Sequence, residues 1–294
     1  AKVLGFSEDR NWEPGFPWDA VAYCLDAEGI SLFEIDLFTS NYIFQLNSPF
    51  RHRLPFPNHH LCHAASCFYG SGFQRAAIFV ADYGGDTLML DEHTFLGHER
   101  QSAWVGDQNG VTLVWRQLGS NSGTLLGLGA AYSKLADYLF PVSDSEGKLM
   151  SLSPTGEYNY EHSTSFFQTH EGQVYVRPTG LFIEHPNRPA SLNPNIPNFE
   201  GDLDWDRLPP PPCDVGEFNK YHRDLAAKMQ GDLEEALLYI TKNLKRITTC
   251  SDLCIAGGIG LNCIANERIR KEAGFDRVFV APSPGDTGQS LGAA

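Results

Sequence analysis

The segment NHHLCHAAS, residues 58–66, places three histidines and a cysteine within nine positions. His59 and His63 are four residues apart, so on a helix they share one face and can bind the same metal ion at about 2.0–2.2 Å. His60 would point in another direction on that helix. The alternative is a packed helix start whose polar rings are satisfied locally, so the choice depends on which other side chains join the pair.

Two aspartates are candidates to complete such a site. Asp82 follows the apolar segment 76–81, and Asp286 lies in SPGD near the end of the sequence. Both come where a predicted strand ends in a turn, so their carboxylates could converge on the histidines. Taken singly, Asp82 is typical of a turn cap and Asp286 of a helix N-cap. Two histidines with carboxylates and open positions suit iron(II), with zinc or manganese as alternatives. A zinc protease would need a glutamate directly after the first histidine as its base, and His60 occupies that place.

A glycine turn is a second candidate for ligand binding. Gly257 and Gly258 follow the predicted strand 252–256 and precede the predicted helix 261–273. Glycine lets the backbone approach a ligand closely, and the first N–H groups of a helix favour a phosphate. Asn262 can add a neutral hydrogen bond to a nucleotide. We therefore predict that these three residues bind the nucleotide.

A second pair of glycines lies in ADYGGDT, directly after the first apolar strand. The segment 75–93 predicts a β-hairpin in which Gly84 and Gly85 form the turn. The acidic tip of this hairpin would face the same cleft as the glycine turn at 257–258. Gly84 and Gly85 are therefore also predicted to contact the bound cofactor.

Composition narrows the class of protein. The 294 residues are 42% hydrophobic and 20% charged, which is ordinary for one large globular domain or two smaller lobes. With 22 basic and 36 acidic residues the formal net charge is −14, and no basic cluster stands out, so a nucleic-acid partner is disfavoured. No apolar run approaches the roughly 18 residues of a membrane span, and no leader segment opens the sequence. Seven cysteines without a small-domain framework indicate reduced, buried thiols, so we expect a cytoplasmic protein.

Hydrophobic periodicity divides the chain into three regions. Residues 1–155 form a first lobe with the histidine pair and the acidic hairpin, 156–218 an irregular proline-rich insertion, and 219–294 a second lobe with the glycine turn and the PGD motif. The strand 252–256, the helix 261–273 and the strand 277–281 form a βαβ unit, whose two turns lie at one sheet edge. Other predicted elements are a strand at 1–6 and helices at 17–27, 61–69, 122–140 and 218–247.

Five segments carry a family resemblance: NHHLCHAASCFYGSGF, AAIFVADYGGDT, SEGKLMSL, AGGIGLNCIANERI and VFVAPSPGDTGQSLGAA. In this order and spacing they resemble the metal- and nucleotide-binding domain of the antibiotic and nodulation-factor O-carbamoyltransferases. The resemblance implies the α/β, two-lobed fold of the actin, hsp70 and sugar-kinase superfold, with duplicated mixed sheets flanked by helices. The family's first phosphate hairpin, of about twenty-five residues, is missing where Ser7 meets Glu8.

The resemblance also implies a reaction. Carbamoyl phosphate and ATP would give carbamoyl-adenylate on a C-terminal domain expected in the intact protein. This chain would then transfer the carbamoyl group to a hydroxyl of a small-molecule natural product or glycan, with release of AMP. In that reaction Asp82 and Lys148 are the predicted catalytic residues. Lys148, in EGKLMSL, would compensate phosphate charge, although it is equally typical of a solvated loop lysine.

The same resemblance assigns the metal and the nucleotide. His59, His63, Asp82 and Asp286 would hold the divalent metal, which acts as a Lewis acid. The carbamoyl-adenylate would lie against the glycines and Asn262. Two other functions stay open: another enzyme of the superfold, such as a tRNA threonylcarbamoyl-transfer enzyme or a kinase, and a non-catalytic nucleotide-binding module.

Overall fold

The computed structural model describes residues 18–31, 34–35, 38–39, 53–54, 58–89, 95–119, 126–140, 142, 144–158, 165–177 and 218–293. The predicted strand 1–6, the junction between Ser7 and Glu8 and most of the predicted insertion lie outside these residues. Among the helices of the described part, none is both long enough and apolar enough to cross a membrane.

The described elements follow one another as a mixture of helices and strands. In chain order they are α1 (Trp18–Glu28), β1 (Phe38–Thr39), β2 (Arg53–Leu54), α2 (His59–Ser71), β3 (Ala76–Ala81), β4 (Thr87–Met89), β5 (Phe95–Asp107), β6 (Gly110–Gly119), α3 (Leu128–Leu139), α4 (Glu146–Leu152), β7 (Phe167–His170), β8 (Gln173–Val176), α5 (Lys220–Thr248), β9 (Asp252–Ala256), α6 (Cys263–Glu272), β10 (Arg277–Val280) and α7 (Gln289–Ala293). Short 3₁₀ turns lie at Ser153–Thr155, Gly258–Leu261 and Asp286–Gly288.

The functional part of the molecule is built on a six-stranded mixed sheet. The strands β3, β9 and β10 are parallel, while β5 pairs antiparallel with β3 and also with β6. The order across the sheet is therefore β10, β9, β3, β5, β6. The strand β4 pairs with a different part of β5, on the same edge as β3. Because the carboxyl ends of parallel strands meet at one edge, the turns that follow β3, β9 and β10 are neighbours.

The central strand β3 is buried on both faces, which explains its uninterrupted apolar sequence AAIFVA. Alternate side chains enter two different cores. Ala77 and Phe79 pack in the cluster that includes the apolar sides of α3 and α5, whereas Ile78 and Val80 pack with α2 residues such as Phe68. The strand is thus held rigidly between two helical layers, and the residue that follows it, Asp82, is placed with little freedom.

The predicted hairpin at 75–93 is wrong. The strands β3 and β4 pair one after the other with the same edge of β5, and β6 occupies its other edge. Between them the backbone stays close to β5, since Asp82 N donates to Arg100 O at 3.4 Å and Gly85 N donates to Glu99 O at 2.8 Å. The segment 82–86 is therefore an irregular stretch between two strands that pair with the same edge of β5. Local apolar patterning identifies strands but not their partners, and the partner here comes later in the sequence.

The sheet also crosses the predicted lobe boundaries. Its strands β3 to β6 come from residues 1–155, and β9 and β10 come from 219–294, yet all six are joined by hydrogen bonds. In the described part of the chain these two regions therefore share one sheet. The predicted insertion is also more regular than expected, because β7 and β8 form an antiparallel hairpin whose turn has Glu171 and Gly172 at positive φ.

Most of the predicted helices are present with shifted ends. The helices predicted at 17–27, 61–69 and 218–247 correspond to α1, α2 and α5. The described part of the helix predicted at 122–140 begins only at Leu128, after Gly127 as N-cap. The α-helix after the glycine turn begins at Cys263, because the residues before it form a 3₁₀ turn. The segment EGKLMSL, for which no element was predicted, is the helix α4.

Candidate metal centre

The structure brings the four predicted ligands together. One donor atom from each of His59, His63, Asp82 and Asp286 lies within 4.8 Å of all the others. Asp82 Oδ2 is 3.0 Å from Nε2 of both histidines. Asp286 Oδ1 is 3.2 Å from His63 Nε2, and the two histidine Nε2 atoms are 3.2 Å apart. The convergence predicted from the sequence is present, and its occupation by a metal stays a prediction.

Three elements position these side chains. The helix α2 carries both histidines one turn apart, so their rings point the same way. Asp82 directly follows β3, and Asp286 begins the 3₁₀ turn a few residues after β10. Two carboxylates that are 204 positions apart in the sequence thus meet because β3 and β10 end at the same edge of the sheet.

A network of buried polar groups fixes the start of α2. Asn58 is the N-cap, and its Oδ1 accepts the backbone N–H of Leu61 at 3.1 Å. Its Nδ2 donates to Glu99 Oε2 at 2.7 Å and to Asp86 Oδ2 at 3.0 Å. Asp86 Oδ2 also accepts the backbone N–H of His59 at 2.9 Å. Carboxylates near a helix N-terminus are favourable, so this network holds the first turn and the His59 backbone in place.

The histidines and the aspartates each stabilise the charged form of the other. Burial alone would lower the pKa of His59, but its hydrogen bonds to Asp286 and Asp82 outweigh burial and raise the pKa to about 10. The pKa of His63 is likewise raised by the two aspartates against the effect of burial. Burial would raise the pKa of Asp82 and of Asp286, but the histidines hold both carboxyl pKa values below their ordinary range. Both carboxylates are therefore in the ionised form that binds a cation.

His60 points away from the centre, as predicted from its helical position. Its Nδ1 lies 2.8 Å from Ser102 Oγ inside the protein. Burial lowers the pKa of His60 to about 3, so this ring is neutral. Sequence reasoning therefore selected the correct two of the three histidines as the pair that faces the aspartates.

Sequence reasoning missed Gln289, whose side-chain amide lies close to His59, His63 and Asp286. Its Nε2 lies 2.8 Å from His59 Nε2, and 2.9 Å from both His63 Nε2 and Asp286 Oδ1. Gln289 is only 7% exposed. The available signal was its position three residues after Asp286, which puts both on one side of a helical turn.

The predicted nucleotide turn lies beside Asp82, and its two glycines differ. Gly257 has φ +83°, and a Cβ there would lie 2.2 Å from Ala81 O, so only glycine fits against the end of β3. A Cβ at Gly258 would meet only Asp82 Oδ1, at 3.8 Å. Gly258 therefore has free space beside it, next to the predicted metal ligand Asp82. Gly257 N is already used, since it donates to Pro284 O at 2.8 Å.

Three other predicted cofactor residues are in contact with protein groups. A Cβ at Gly84 would lie 2.7 Å from Arg100 Nη1, and one at Gly85 would lie 2.9 Å from His60 Cδ2. Asn262 caps α6 by accepting from Ala265 N and forms a paired amide contact with Gln230. Close packing explains why glycine occupies positions 84 and 85, and helix capping explains the asparagine at position 262. Their predicted contact with a nucleotide stays a prediction and gains no support from these positions.

Lys148 lies on α4 beside a cavity of about 510 Å³, whose lining includes Phe140, Asp144 and Phe218 but none of the four predicted ligands. Its Nζ is 6.0 Å from the centre of the Phe140 ring. The structure thus places Lys148 on a helix, beside a cavity whose lining includes no residue of the histidine–aspartate group. Its predicted catalytic role stays a prediction.

Comparison with solved structures defines the fold class. The chain is similar to full-length HypF in its phosphate- and nucleotide-bound form, with a TM-score of 0.59 and 12% identity, over 94% of this chain and 41% of that chain. This is the actin, hsp70 and sugar-kinase class of fold predicted from the sequence. At this level of identity the likeness concerns the fold alone.

Comparison of sequences defines the family. The family model described as Carbamoyltransferase N-terminus matches residues 38–294, and the chain belongs to this family. It is 30% identical over 243 residues to nodulation protein NolO of Bradyrhizobium diazoefficiens, covering 81% of this chain and 37% of that protein. It is 29% identical over 245 residues to the uncharacterized protein sll1178 of Synechocystis, covering 82% and 36%. The chain therefore spans little more than a third of the length of these relatives.

Proposed function

We propose that this chain is the metal- and nucleotide-binding part of an ATP-dependent O-carbamoyltransferase. Its reaction would transfer the carbamoyl group of carbamoyl-adenylate, made from carbamoyl phosphate and ATP, to a hydroxyl of a small-molecule natural product or glycan. The observation that carries the proposal is the convergence of two imidazoles and two ionised carboxylates at the carboxyl edge of the sheet, in a chain of the carbamoyltransferase family. In α/β folds this edge is where ligands bind.

The residues present fit a divalent metal. Two imidazole nitrogens, which lose their protons when a metal binds, and two carboxylate oxygens suit iron(II), and also zinc or manganese. A bound metal would supply Lewis acidity for the carbamoyl or phosphate oxygens and would lower the pKa of an acceptor hydroxyl. The donors differ in access, since the His63 side chain is 0% exposed and that of Asp286 is 59% exposed. Substrate would therefore approach from the Asp286 side.

Asp82 has a fixed orientation that suits a residue at the centre of the reaction. Its Oδ1 accepts the backbone N–H of Tyr83, and its Oδ2 faces both histidines. The carboxylate therefore keeps one oxygen toward the histidine pair. Gly258 lies beside it with free space, and we propose that the adenylate phosphate lies in this space. HypF, whose fold is similar, has been solved with phosphate and nucleotide bound.

The remaining parts of the proposal concern the setting of the reaction. The relatives are longer than this chain, and a further domain of the intact protein would form carbamoyl-adenylate. The acceptor would be of the antibiotic or nodulation-factor kind. ATP and carbamoyl phosphate are cytoplasmic metabolites, and none of the six cysteines in the described part of the chain forms a disulfide, which fits a reducing compartment. We therefore place the protein in the cytoplasm.

The test uses the intact gene product with carbamoyl phosphate, ATP and a panel of hydroxylated acceptors. Release of AMP and the mass gain of a carbamoyl group on the acceptor are measured together. We expect His63→Ala and Asp286→Asn each to lower turnover by at least about 100-fold, because each removes a donor from the centre. Thermal unfolding should show that both variants stay folded.

The control is His170→Ala, which removes a half-exposed histidine on β7. It should retain full turnover. Wild-type protein that binds nucleotide but releases no AMP with any acceptor would favour the non-catalytic module. Full activity in His63→Ala would show that the histidine–aspartate group has no part in transfer.

A further inference from the structure

Three of the predicted metal ligands lie on two separate pieces of backbone. The helix α2 carries His59 and His63, and the turn 82–86 after β3 carries Asp82 at its first position. The distances of 3.0 Å from Asp82 Oδ2 to each histidine Nε2 therefore depend on how this helix and this turn meet. Asn58, the N-cap of the helix, and Asp86, at the other end of the turn, connect the two pieces directly.

Asp86 links the turn both to the helix and to the sheet. Its Oδ2 accepts the backbone N–H of His59 at 2.9 Å and the Nδ2 group of Asn58 at 3.0 Å. Its backbone is held by β5, because Asp86 O accepts the N–H of Glu99 at 2.9 Å. One carboxylate oxygen thus ties the turn that begins with Asp82 to the first residue of the histidine helix.

The Asn58 amide has one orientation that satisfies all of these partners. The N–H of Leu61 can only donate, so it faces Oδ1, and the carboxylates of Asp86 and Glu99 accept, so they face Nδ2. Burial raises the pKa of Glu99, and the Asn58 hydrogen bond is the largest effect that opposes burial. Serine or aspartate would cap the helix equally well, but neither has two N–H groups with which to bridge two carboxylates.

We propose that Asn58 and Asp86 are positioning residues of the metal centre, which set the distance between the histidine pair and Asp82. Neither residue is a metal ligand in this proposal. The inference rests on the metal centre of the proposed function and explains how its histidines and its buried aspartate are held together. A functional site has to keep its groups within about 0.5 Å of their productive positions, so loss of either residue disturbs the centre without removing a ligand.

The test compares metal binding with stability in four variants of the intact protein. Asn58→Ser keeps an N-cap oxygen and removes the bridging amide. Asp86→Ala removes the acceptor, whereas Asp86→Asn keeps an oxygen that can accept from both donors. Asn219→Ser is the matched control, because Asn219 is the N-cap of α5 and its Oδ1 accepts the N–H of His222 at 3.1 Å, the distance also found between Asn58 and Leu61.

Three measurements are made on each variant. Metal-free protein is titrated calorimetrically with Mn²⁺, Co²⁺-loaded protein is examined by visible absorption, which depends on ligand geometry, and chemical unfolding gives the stability. We expect Asn58→Ser and Asp86→Ala to weaken Mn²⁺ binding by about 10- to 100-fold and to change the Co²⁺ spectrum. Asp86→Asn should recover most of the affinity that Asp86→Ala loses, and Asn219→Ser should bind Mn²⁺ as wild type does.

The outcomes separate this inference from the proposed function. Wild-type Mn²⁺ affinity and an unchanged Co²⁺ spectrum in Asn58→Ser, even at reduced stability, would show that the network serves folding alone, and this result decides the question if Asp86→Ala does not fold. The proposal would also be wrong if Asp86→Asn lost as much affinity as Asp86→Ala, because Asp86 would then act through its charge. Both results leave the four-residue centre intact. Wild-type protein that binds neither Mn²⁺ nor Co²⁺ would overturn the centre and this inference together.

Discussion

At the scale of single residues, the site contains side chains that converge on one point and a glycine that the backbone requires. The spacing of His59 and His63 was sufficient to predict their shared face, since it depends only on helix geometry. Gly257 and Gly258 looked equivalent in the sequence. The structure distinguishes them, because only Gly257 has positive φ and a carbonyl in the place of a Cβ. Such a difference depends on contact with β3, which local sequence does not encode.

The two glycines therefore predict opposite effects of substitution. Gly257→Ala should destabilise the protein by about 2 kcal/mol or more, because of backbone strain and the contact with Ala81 O. Gly258→Val should change stability by less than about 1 kcal/mol. It should nevertheless weaken ADP binding at least about tenfold, equivalent to about 1.4 kcal/mol, because the new side chain occupies the space beside Asp82.

Chemical unfolding and calorimetric titration with ADP measure the two effects, and metal analysis of the same samples shows whether the centre is retained. Metal content of Gly258→Val should equal that of wild type. Unchanged ADP affinity in Gly258→Val would remove this turn from the nucleotide site.

At the scale of elements, the site depends on the contact between α2 and α7. The helix α2 was predicted over residues 61–69 from the regular pattern of its sequence, and the structure extends it to His59–Ser71. The helix α7, with five described residues, is too short to show periodicity, so Gln289 was not recognised as part of the site. The hairpin error has a related cause. The partner of β3 is β5, and pairing between distant segments leaves no local signature.

This contact predicts that a substitution remote from the ligands will disturb the centre. In Gly292→Ala the added methyl group would meet Cys62 O and Ser66 N of α2. The helix α7 must then move away, taking Gln289 and the adjacent Asp286 turn with it. We expect a loss of about 1–3 kcal/mol in stability and weaker Mn²⁺ binding, although no ligand is changed.

The matched control is Gly147→Ala, because a Cβ at that helical position in α4 would meet nothing within 4 Å. It should leave Mn²⁺ affinity unchanged and increase stability by up to about 1 kcal/mol, since alanine is the better helix former. Equal Mn²⁺ affinity in Gly292→Ala and wild type would show that the α2–α7 contact does not position the donors.

At the scale of the whole molecule, the fold class was predicted from the resemblance of five segments to a known family. Three of these segments contain the turns that follow β3, β9 and β10. The division into lobes stays a prediction. The lobe boundaries were placed near residues 155 and 219, where the regular apolar pattern gives way to an irregular proline-rich segment. The sheet includes strands from both sides of that segment. Its strand β9 lies between β3 and β10, so a segment from the last quarter of the chain completes a core begun before residue 82.

This arrangement predicts that neither half of the chain folds alone. A fragment of residues 1–217 would leave one edge of β3 unpaired, and it would expose the core that the α5 residues Met229, Leu233 and Leu237 cover. A fragment of residues 218–294 would keep α5, β9, α6 and β10 but would lack the strand on which β9 pairs.

We expect each fragment alone to give no cooperative thermal transition by circular dichroism, because it exposes large apolar surface. Co-expression should recover a complex that unfolds in one transition and binds Mn²⁺, since the predicted ligands His59, His63 and Asp82 come from one fragment and Asp286 from the other. The intact chain is the reference. A cooperative transition in fragment 1–217 alone would show that the first region is an independent lobe, as predicted from the sequence.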